Sequence, residues 1–598
     1  MKNQKYAVNQ YQIDTILTWV KTGEIAIPEI QRPFVWSATQ VRDFMDSLYQ
    51  GFPVGYIIAW RNPNVKLKDG RTSDGKKILI DGQQRVTSLT AAILGQPVIT
   101  QDYRKARIRI SFNPIDETFE VFNSAIAKNA AWINDIAELF NPDFNFLSYL
   151  KEYGSANPGL SEDLVFERLN AIKNIPLKQI GLIELDADLD IETVTEIFIR
   201  INSKGVPLSQ ADFAMSKIAV AEEYGGPNLR KCIDYFCHLA VAPEFYSQIE
   251  EADRQFVSTK YFQKMSWLKN ENDDLYDPDY TDVLRVAFIS EFERGKLADL
   301  VSLLSGRNFE KKTYEEEIVE RSFLALERGV LGFINETNFK NFLMIIRSAG
   351  FITPGLIRSQ AALNFAYVLY LKLKSRGYQQ AEIERYVRKW FVLSVLTGRY
   401  SGSPETAFDN DIKNICATSF GDYLRRIEEA ELSDIFWNVT LVENMETSAA
   451  NSPYLNVFFA AQVKMHDKGF LSRDITVNEL ISLKGDIHHI FPRDYLKKNG
   501  LTRKEYNQIS NYVYMQSETN IRIGNKPPRV YFGEILEQCN GGPLKYGGIS
   551  TMEELRHNLA MNCIPESVFT MEIDDYNQFL TERKKLMASK IREYYRML

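Results

Sequence analysis

Two of the chain's five histidines, His488 and His489, are adjacent in the run Asp486–Pro492 (DIHHIFP). Asn511 follows farther along, and Asn520 comes after eight intervening residues. Unperturbed imidazole has a pKa near ~6.5, so it can take a proton from water at neutral pH. An imidazole together with an amide oxygen can also bind a divalent cation. These residue types therefore point to metal-dependent hydrolysis of a phosphodiester bond.

The spacing resembles the HNH, or His-Me finger, nuclease motif, with asparagine at the last position. The resemblance implies a ββα-metal fold, in which a hairpin and the following helix clasp one divalent ion. It makes His489 the general base and His488 and Asn520 metal ligands. Asn511 would pin the loop so that the base is correctly aimed. Mg²⁺ or Mn²⁺ is the expected metal because both are abundant and prefer oxygen ligands.

The alternation of side chains along a strand leaves the ligand set open. In a regular strand, Asp486 and His488 share one face and His489 points to the other. The two histidines serve one site if the backbone turns there, which Pro492 makes plausible. If the strand stays regular, the ligands are Asp486 and His488.

A second group of residues, Asp81–Arg85 (DGQQR), lies where a predicted strand gives way to a predicted helix. Free N–H groups at a helix N-terminus attract phosphate, and Arg85 adds a bidentate donor. Gly82 lets a ligand approach the backbone closely, and Asp81 can hold a metal ion or position a water molecule. The chain lacks a Walker A loop and a G-x-G-x-x-G motif, so a nucleotide site here belongs to another class.

Two further stretches are the segment Gln31–Trp36 (QRPFVW) and the segment Phe198–Gly205 (FIRINSKG). The order of these motifs around DGQQR resembles the N-terminal domain of the GmrSD family of type IV restriction enzymes. That family's C-terminal domain carries an H-H-I-F-P nuclease motif, which is also present here. Its relatives include the phosphorothioate-sensing effector of the Ssp defence system and the type IV enzyme associated with BREX islands. The resemblance covers roughly residues 8–215 and 450–598.

The resemblance implies an N-terminal ParB/sulfiredoxin-like fold that binds and hydrolyses GTP or ATP. The nucleotide site carried over from the family consists of Asp81, Gly82, Gln83, Gln84, Arg85, Gln31, Arg32, Arg200 and Asn202. The expected fold class is α+β, in three domains. They are a nucleotide-binding sensor domain (1–215), a helical middle region (216–450) and an HNH nuclease domain (451–598).

Local patterns predict several elements. Ser37 and Gly51 bound a predicted helix over Thr39–Tyr49, and Ser209 opens another helix with Asp212 as its capping-box partner. The other predicted elements are strands at Val54–Trp60 and Lys77–Ile80 and helices at Gln83–Leu94, Tyr314–Glu327, Ser359–Ser375 and Gln380–Leu396. After the Asn451–Pro453 turn, the sequence predicts short strands, turns and glycine-rich loops.

Composition narrows the class of protein. No window has the ~18 apolar residues that a membrane span needs, and no signal-peptide core opens the chain, so we expect a cytoplasmic protein. The net charge of −7 argues against non-specific coating of nucleic acid. Between Lys484 and Arg529, however, nine basic and four acidic residues leave a local charge of +5, which suits a phosphate backbone or simply a solvated charged face.

The leading hypothesis is an NTP-regulated, metal-dependent endonuclease that cleaves modified phage DNA, as a type IV restriction enzyme does. One alternative is a phosphorothioate-sensing NTPase and nicking nuclease of a host-modification defence system. Others are a nucleotide-binding sensor with a weak constitutive nuclease, an RNA-cutting or toxin-like nuclease, and a purely structural protein. A double-strand cut with one active site per chain would suit a homodimer. The candidate modifications are glucosylated hydroxymethylcytosine, simpler cytosine modifications and backbone phosphorothioate.

Overall fold

The computed structural model describes residues 5–26, 36–61, 77–99, 105–158, 161–186, 189, 197, 209–271, 273–483, 485 and 487–598. These residues form a mixed, mostly helical structure, which agrees with the predicted α+β class. The chain divides into two compact units. The first comprises residues 1–272, 278–281 and 300–324, and the second comprises 273–277, 282–299 and 325–598. The three-domain division stays a prediction.

The first unit contains a five-stranded sheet and two small hairpins. Its strands are β1 (Tyr6–Gln12), β2 (Ile25–Ala26), β3 (Tyr56–Arg61), β4 (Lys77–Asp81), β5 (Val98–Ile99), β6 (Lys105–Ala106), β7 (Ile110–Asn113), β8 (Thr118–Val121) and β9 (Gln179–Leu185). The large sheet has the order β1-β9-β3-β4-β2. The β9/β3 and β4/β2 pairs are parallel, and the β1/β9 and β3/β4 pairs are antiparallel.

The described helices before residue 270 belong to the first unit. They are α1 (Ile13–Thr22), α2 (Ala38–Gln50), α3 (Gln83–Ile93), α4 (Phe146–Ala156), α5 (Glu162–Lys173), α6 (Gln210–Val220), α7 (Gly226–Val241), α8 (Phe245–Ala252), α9 (Arg254–Val257) and α10 (Lys260–Lys264). The apolar faces of α1, α2 and α3 share one core with β3, in which Ile16, Val41, Leu89 and Ile57 are buried. This packing fixes α3 against the sheet beside the DGQQR motif.

The predicted helix boundaries at Ser37 and Ser209 are confirmed. Ser37 Oγ accepts from Gln40 N–H across 3.2 Å, and the Gln40 side chain accepts from Ser37 N–H across 2.9 Å. Ser209 forms the same reciprocal pair with Asp212. Both side chains satisfy N–H groups that have no partner within the helix.

Helices dominate the rest of the chain. They are α11 (Tyr280–Phe292), α12 (Leu297–Leu304), α13 (Glu316–Phe333), α14 (Glu336–Ser348), α15 (Gln360–Ser375), α16 (Gln380–Thr397), α17 (Pro404–Ala417), α18 (Phe420–Glu431), α19 (Leu441–Asn444), α20 (Pro453–Lys464), α21 (Val477–Ser482), α22 (Arg493–Lys498), α23 (Arg503–Tyr506), α24 (Ser517–Ile523), α25 (Pro528–Cys539), α26 (Met552–Met561) and α27 (Tyr576–Met597). A π-helical turn covers Phe436–Thr440. The short 3₁₀ turns are Ile126–Lys128, Ile136–Phe140, Ile175–Leu177, Glu222–Tyr224, Ser266–Asn270, Pro354–Leu356, Ile509–Asn511, Glu566–Thr570 and Ile573–Asp575.

The prediction of short strands, turns and glycine-rich loops after Asn451–Pro453 holds only in part, because helices make up most of this region. In the described residues beyond this turn, the only strands are β10 (Ile487–His489) and β11 (Tyr512–Tyr514). The chain forms helices α20–α27 instead, and capping boxes at Thr476, Thr502 and Thr551 help to start three of them. The predicted glycine-rich loops do lie between α25 and α26.

Candidate functional site

The two adjacent histidines lie on β10, which pairs with β11 in an antiparallel hairpin. His488 lies opposite Val513, and His489 lies opposite Tyr512. Because neighbouring side chains of a strand alternate between its two faces, the two imidazoles leave the backbone in different directions. The pairing is regular from Ile487 to His489, the last residue of β10. Asp486 itself lies outside the described residues.

His489 occupies a half-buried position between two contacts. Its Nε2 lies 3.1 Å from Asn507 Oδ1, and its ring meets the Tyr512 ring edge to face at a centroid distance of 5.0 Å. Burial lowers the pKa of His489 below 6.5, the positive charge of Arg493 acts in the same direction, and the Asn507 contact opposes both. His489 is therefore neutral near pH 7, which is the form that can accept a proton.

Asn511 holds the backbone that follows His489. Its amide nitrogen donates to the Phe491 carbonyl oxygen across 3.0 Å, and its Oδ1 accepts from Phe491 N–H across 2.8 Å. Its backbone carbonyl also accepts from Ile490 N–H across 2.9 Å. Asn511 is fully buried. It thus touches the loop after the histidine and not the histidine itself.

Helix α27 supports this arrangement through Arg583, which is fully buried. Its guanidinium donates to the carbonyl oxygens of Ser510 (2.7 Å), Tyr512 (2.8 Å) and Asn562 (3.2 Å). Burial lowers the pKa of Arg583 to about 10. Because two of the three acceptors flank Asn511, Arg583 fixes the start of β11.

The implied metal ligands come from two elements. His488 lies on β10, and Asn520 lies on α24 with a partly exposed side chain. An imidazole nitrogen and an amide oxygen are a mixed donor set that suits Mg²⁺ or Mn²⁺. Within the described ranges, no three His, Cys, Asp or Glu side chains form a metal-ligand group.

The loop that connects the two strands of the hairpin is strongly basic. Helices α22 and α23 lie in this loop, and every basic side chain on them is exposed. These residues are Arg493, Lys497, Lys498, Arg503 and Lys504. Asp494 and Glu505 offset part of this charge. The surface offers exposed cations that can contact a phosphate backbone.

In the first unit, the DGQQR motif lies at the end of β4 and the start of α3, as predicted. Gly82 is the N-cap of α3 and has φ +93°, in the left-handed region that glycine tolerates. A Cβ added there would lie 3.1 Å from Ile57 Cγ1 and 3.2 Å from Ile57 Cα. Both the backbone conformation and the close approach of β3 therefore require glycine at this position.

Arg85 bends back from α3 toward the sheet. One of its guanidinium nitrogens, Nη1, donates to the Tyr56 carbonyl oxygen across 3.0 Å and to Asp81 Oδ2 across 3.3 Å. A Cβ on Gly55 would lie 3.1 Å from the guanidinium, so the missing side chain at Gly55 leaves room for Arg85. About a quarter of the Arg85 side chain stays exposed and can meet an anion.

The two glutamines of the motif differ in environment. Gln83 is 8% exposed, and its Oε1 has no hydrogen-bond partner within the described part of the chain. Gln84 Oε1 accepts from Trp36 N–H across 3.3 Å, which joins the motif to the end of the QRPFVW segment. The other residues implied by the resemblance, Gln31, Arg32, Arg200 and Asn202, lie outside the described residues.

Residues 13–219 match the family described as GmrSD restriction endonuclease, N-terminal domain. The match includes the whole DGQQR region and supports a GmrSD-like family for this chain. It suggests a nuclease of the type IV restriction class, and a restriction endonuclease implies DNA as the substrate. The His488–Asn520 region lies beyond the matched residues.

The chain is also similar to the "Uncharacterized protein MJ0686" of Methanocaldococcus jannaschii. The two sequences are 23% identical over an alignment that covers 96% of each chain. The similarity thus extends over both units. In the described residues, no helix combines the length and apolarity that crossing a bilayer needs.

Three residues of these sites were missed by sequence reasoning. Gly55 makes space for Arg85, Asn507 contacts His489, and Arg583 holds the backbone around Asn511. Gly55 could have been suspected because a glycine is unusual inside a predicted strand such as Val54–Trp60 and often marks a close approach of another group. Asn507 and Arg583 carry no local signal, because their contacts join residues that are 18 and 73 positions apart.

Proposed function

We propose that this chain is a metal-dependent DNA endonuclease that is regulated by a nucleoside triphosphate and directed against modified foreign DNA. The observation that carries the proposal is the hairpin that holds half-buried His489 beside an exposed basic loop. The GmrSD N-terminal match supports the same class independently. Phage DNA is the proposed target.

His489 is the last residue of β10, so in this proposal both imidazoles reach the scissile phosphate at the end of the strand, where His489 accepts a proton from the attacking water molecule. Asn511 and Arg583 keep the backbone on both sides of the hairpin in place. The exposed cations of α22 and α23 bind the flanking phosphates without reading sequence.

His488 and Asn520, with Asp486 as a further candidate, are the proposed ligands of a Mg²⁺ or Mn²⁺ ion. Their imidazole and oxygen donors fit such an ion. When bound, the ion supplies positive charge against the developing charge on the leaving oxygen.

The DGQQR region is the proposed site for GTP or ATP. The N–H groups that begin α3 and the exposed part of Arg85 are complementary to the phosphates of such a ligand, and the buried Gln83 oxygen can accept a hydrogen bond from a hydroxyl or N–H group of the nucleoside. Nucleotide binding or hydrolysis would gate the nuclease, and a coupling of roughly 1–3 kcal/mol would change activity by about 5- to 150-fold. Such gating protects host DNA from an enzyme of this kind.

The test is a cleavage assay with purified protein, Mg²⁺ or Mn²⁺, and GTP or ATP. The substrates are unmodified plasmid, phage DNA with glucosylated cytosine, phosphorothioate DNA and RNA. His489→Ala is the test variant, and His557→Ala is the matched control, because His557 is exposed on α26. We expect cleavage of one modified DNA that His489→Ala abolishes and His557→Ala retains.

Each other outcome changes the proposal in a defined way. Cleavage that survives in His489→Ala contradicts the assigned base. Cleavage of RNA alone favours the RNA-cutting alternative, and nicking of phosphorothioate DNA favours the host-modification alternative. Nucleotide hydrolysis is measured separately with the parent and Arg85→Ala, and no turnover by the parent rules out the NTPase.

A further inference from the structure

We infer that Asn507 is a positioning residue that selects the tautomer of His489, so that Nδ1 is the nitrogen that takes the proton from water. The inference rests on the proposed nuclease function and deepens it. It adds a residue that lies outside the HNH-like pattern of His488, His489, Asn511 and Asn520.

The contact itself determines which nitrogen carries hydrogen. His489 Nε2 lies 3.1 Å from Asn507 Oδ1. An amide oxygen can only accept, so with Oδ1 facing the ring this contact is a hydrogen bond in the tautomer that carries hydrogen on Nε2, and we assign that tautomer to His489. A neutral imidazole has a single N–H, and Nδ1 therefore keeps its lone pair. The Nε2–H tautomer of His489 is therefore assigned from its contact with Asn507 Oδ1.

A second contact limits the rotation of the imidazole ring. Tyr512 lies directly opposite His489 in the hairpin, and the two rings meet at an interplanar angle of 84°. The Tyr512 ring, on β11, packs against the imidazole of His489, whereas Asn507 contacts Nε2 of the imidazole from the loop. Rotation that would exchange the two nitrogens breaks the hydrogen bond to Asn507.

The backbone around Asn507 is itself anchored. Asn507 directly follows α23, and its N–H donates to the Arg503 carbonyl oxygen across 3.3 Å. The Tyr576 hydroxyl, from α27, donates to the carbonyl oxygens of Glu505 (3.2 Å) and Tyr506 (3.4 Å). The turn that presents Asn507 is therefore tied to the same helix that carries Arg583. This anchoring reduces the entropy that Asn507 loses when it binds the imidazole.

His489 and Asn507 act together when the phosphodiester bond is hydrolysed. Nδ1 takes one proton from water while the water oxygen forms a bond to phosphorus and the bond from phosphorus to the leaving oxygen breaks. The leaving oxygen takes its proton from solvent. The Nε2 proton stays on the ring, and its hydrogen bond to Asn507 strengthens because the donor becomes positively charged. Asn507 thus stabilises the imidazolium that forms.

The first experiment compares two variants of the full-length protein in the cleavage assay. Asn507→Leu keeps the size of the side chain and removes the acceptor, whereas Asn507→Asp keeps the acceptor. We expect Asn507→Leu to lower kcat by roughly 10- to 100-fold with little change in KM. Asn507→Asp should stay within about tenfold of the parent, because a carboxylate also accepts from Nε2–H. The control is Gln508→Leu, since the Gln508 amide donates to the Lys504 carbonyl oxygen instead.

The second experiment reads the tautomer without requiring activity. Nitrogen NMR of protein with ¹⁵N-labelled histidine distinguishes a protonated ring nitrogen from an unprotonated one, and His489→Gln identifies the signals of His489. We expect the Nε2-protonated form in the parent and a mixture of tautomers in Asn507→Leu.

The outcomes separate the inference from the proposed function. An Nδ1-protonated His489, an unchanged kcat in Asn507→Leu, or equal losses in the Leu and Asp variants would overturn the role of Asn507. If the parent cleaves nothing, or if His489→Ala cleaves normally, the nuclease proposal fails. The NMR spectrum still decides in that case whether Asn507 fixes the tautomer.

Discussion

Asn511 and Phe491 form a reciprocal pair, in which the Asn511 amide both donates to the Phe491 carbonyl oxygen (3.0 Å) and accepts from the Phe491 N–H (2.8 Å). Phe491 stands two residues after His489, and Asn511 stands one residue before Tyr512, the partner of His489 in the hairpin. The pair therefore continues the hairpin beyond its last strand residue. It needs a side chain that is both donor and acceptor, which limits the choice to an amide of the right length.

The variant Asn511→Asp keeps the acceptor and loses the donor. The carboxylate would be buried against the Phe491 carbonyl oxygen, and an unsatisfied buried group costs about 1–3 kcal/mol or more when charged. We expect a comparable loss in the free energy of unfolding, measured with urea, together with weaker DNA cleavage. Asn577→Asp is the control, because Asn577 is exposed on α27. Equal stability of the two variants would contradict the structural role of Asn511.

Removal of Arg583 should loosen β11. Arg583→Met keeps an unbranched apolar side chain in place of the arginine stem but leaves the carbonyl groups of Ser510 and Tyr512 without their buried donor. We expect the free energy of unfolding to fall by about 2–4 kcal/mol, since each unsatisfied group costs about 1–3 kcal/mol. The matched variant Arg556→Met, at an exposed ion pair with Glu566, should lose under ~1 kcal/mol. A similar small loss at Arg583 would mean that its three hydrogen bonds do not hold the strand.

Gly82→Ala tests the DGQQR turn against a control with the same backbone conformation. Gly51 has φ +78° and nothing within 4 Å of an added Cβ, whereas a Cβ at Gly82 approaches Ile57. Left-handed strain of about 1–2 kcal/mol is common to both variants. Crowding should add about 1 kcal/mol or more at Gly82 alone. Thermal unfolding measures the difference, and nucleotide binding by calorimetry should weaken only in Gly82→Ala. Equal melting temperatures would argue against the close approach of Ile57.

A pH effect on stability is expected from His238. Burial lowers the pKa of His238 in the folded protein below its ordinary value of 6.5. As the pH falls below 6.5, the unfolded chain takes up a proton before the folded protein does, so stability present above pH 6.5 is lost on acidification.

Unfolding of the parent and of His238→Gln at pH 7.5 and 5.5 checks this expectation. The variant cannot titrate at this position, so its melting temperature should fall less between the two pH values. An identical fall in both proteins would assign the acid sensitivity to other groups. His466→Gln, at an exposed position, serves as the control.

Local features of the sequence were sufficient for several elements. The helix starts at Ser37 and Ser209 were predictable because a capping box uses residues only three positions apart. The placement of Asp81–Arg85 at the end of a strand followed from the apolar run before it and the glycine within it. These features depend on neighbours in sequence, where patterns are strong.

Other features were not predictable from local patterns. The region after Pro453 reads as strands and turns because its glycine-rich loops are conspicuous, yet β10 and β11 have three residues each and helices fill the rest. The contacts of Asn507 and Arg583 depend on how α23 and α27 pack around the hairpin. The hydrophobic core that includes Phe491, Tyr531 and Phe579 determines this packing.

The regular pairing of β10 has a consequence for the evolution of this site. Two identical amino acids acquire different environments only because a strand turns successive side chains to opposite faces. Deletion or insertion of one residue just before β10 would shift the register and exchange the positions of the two imidazoles. The ring of His488, the proposed metal ligand, would then face Asn507, and the ring of His489 would face away. The environment of each histidine in the pair depends on whether its position along the strand is odd or even. The site therefore tolerates insertions or deletions before β10 only when they change the length by an even number of residues.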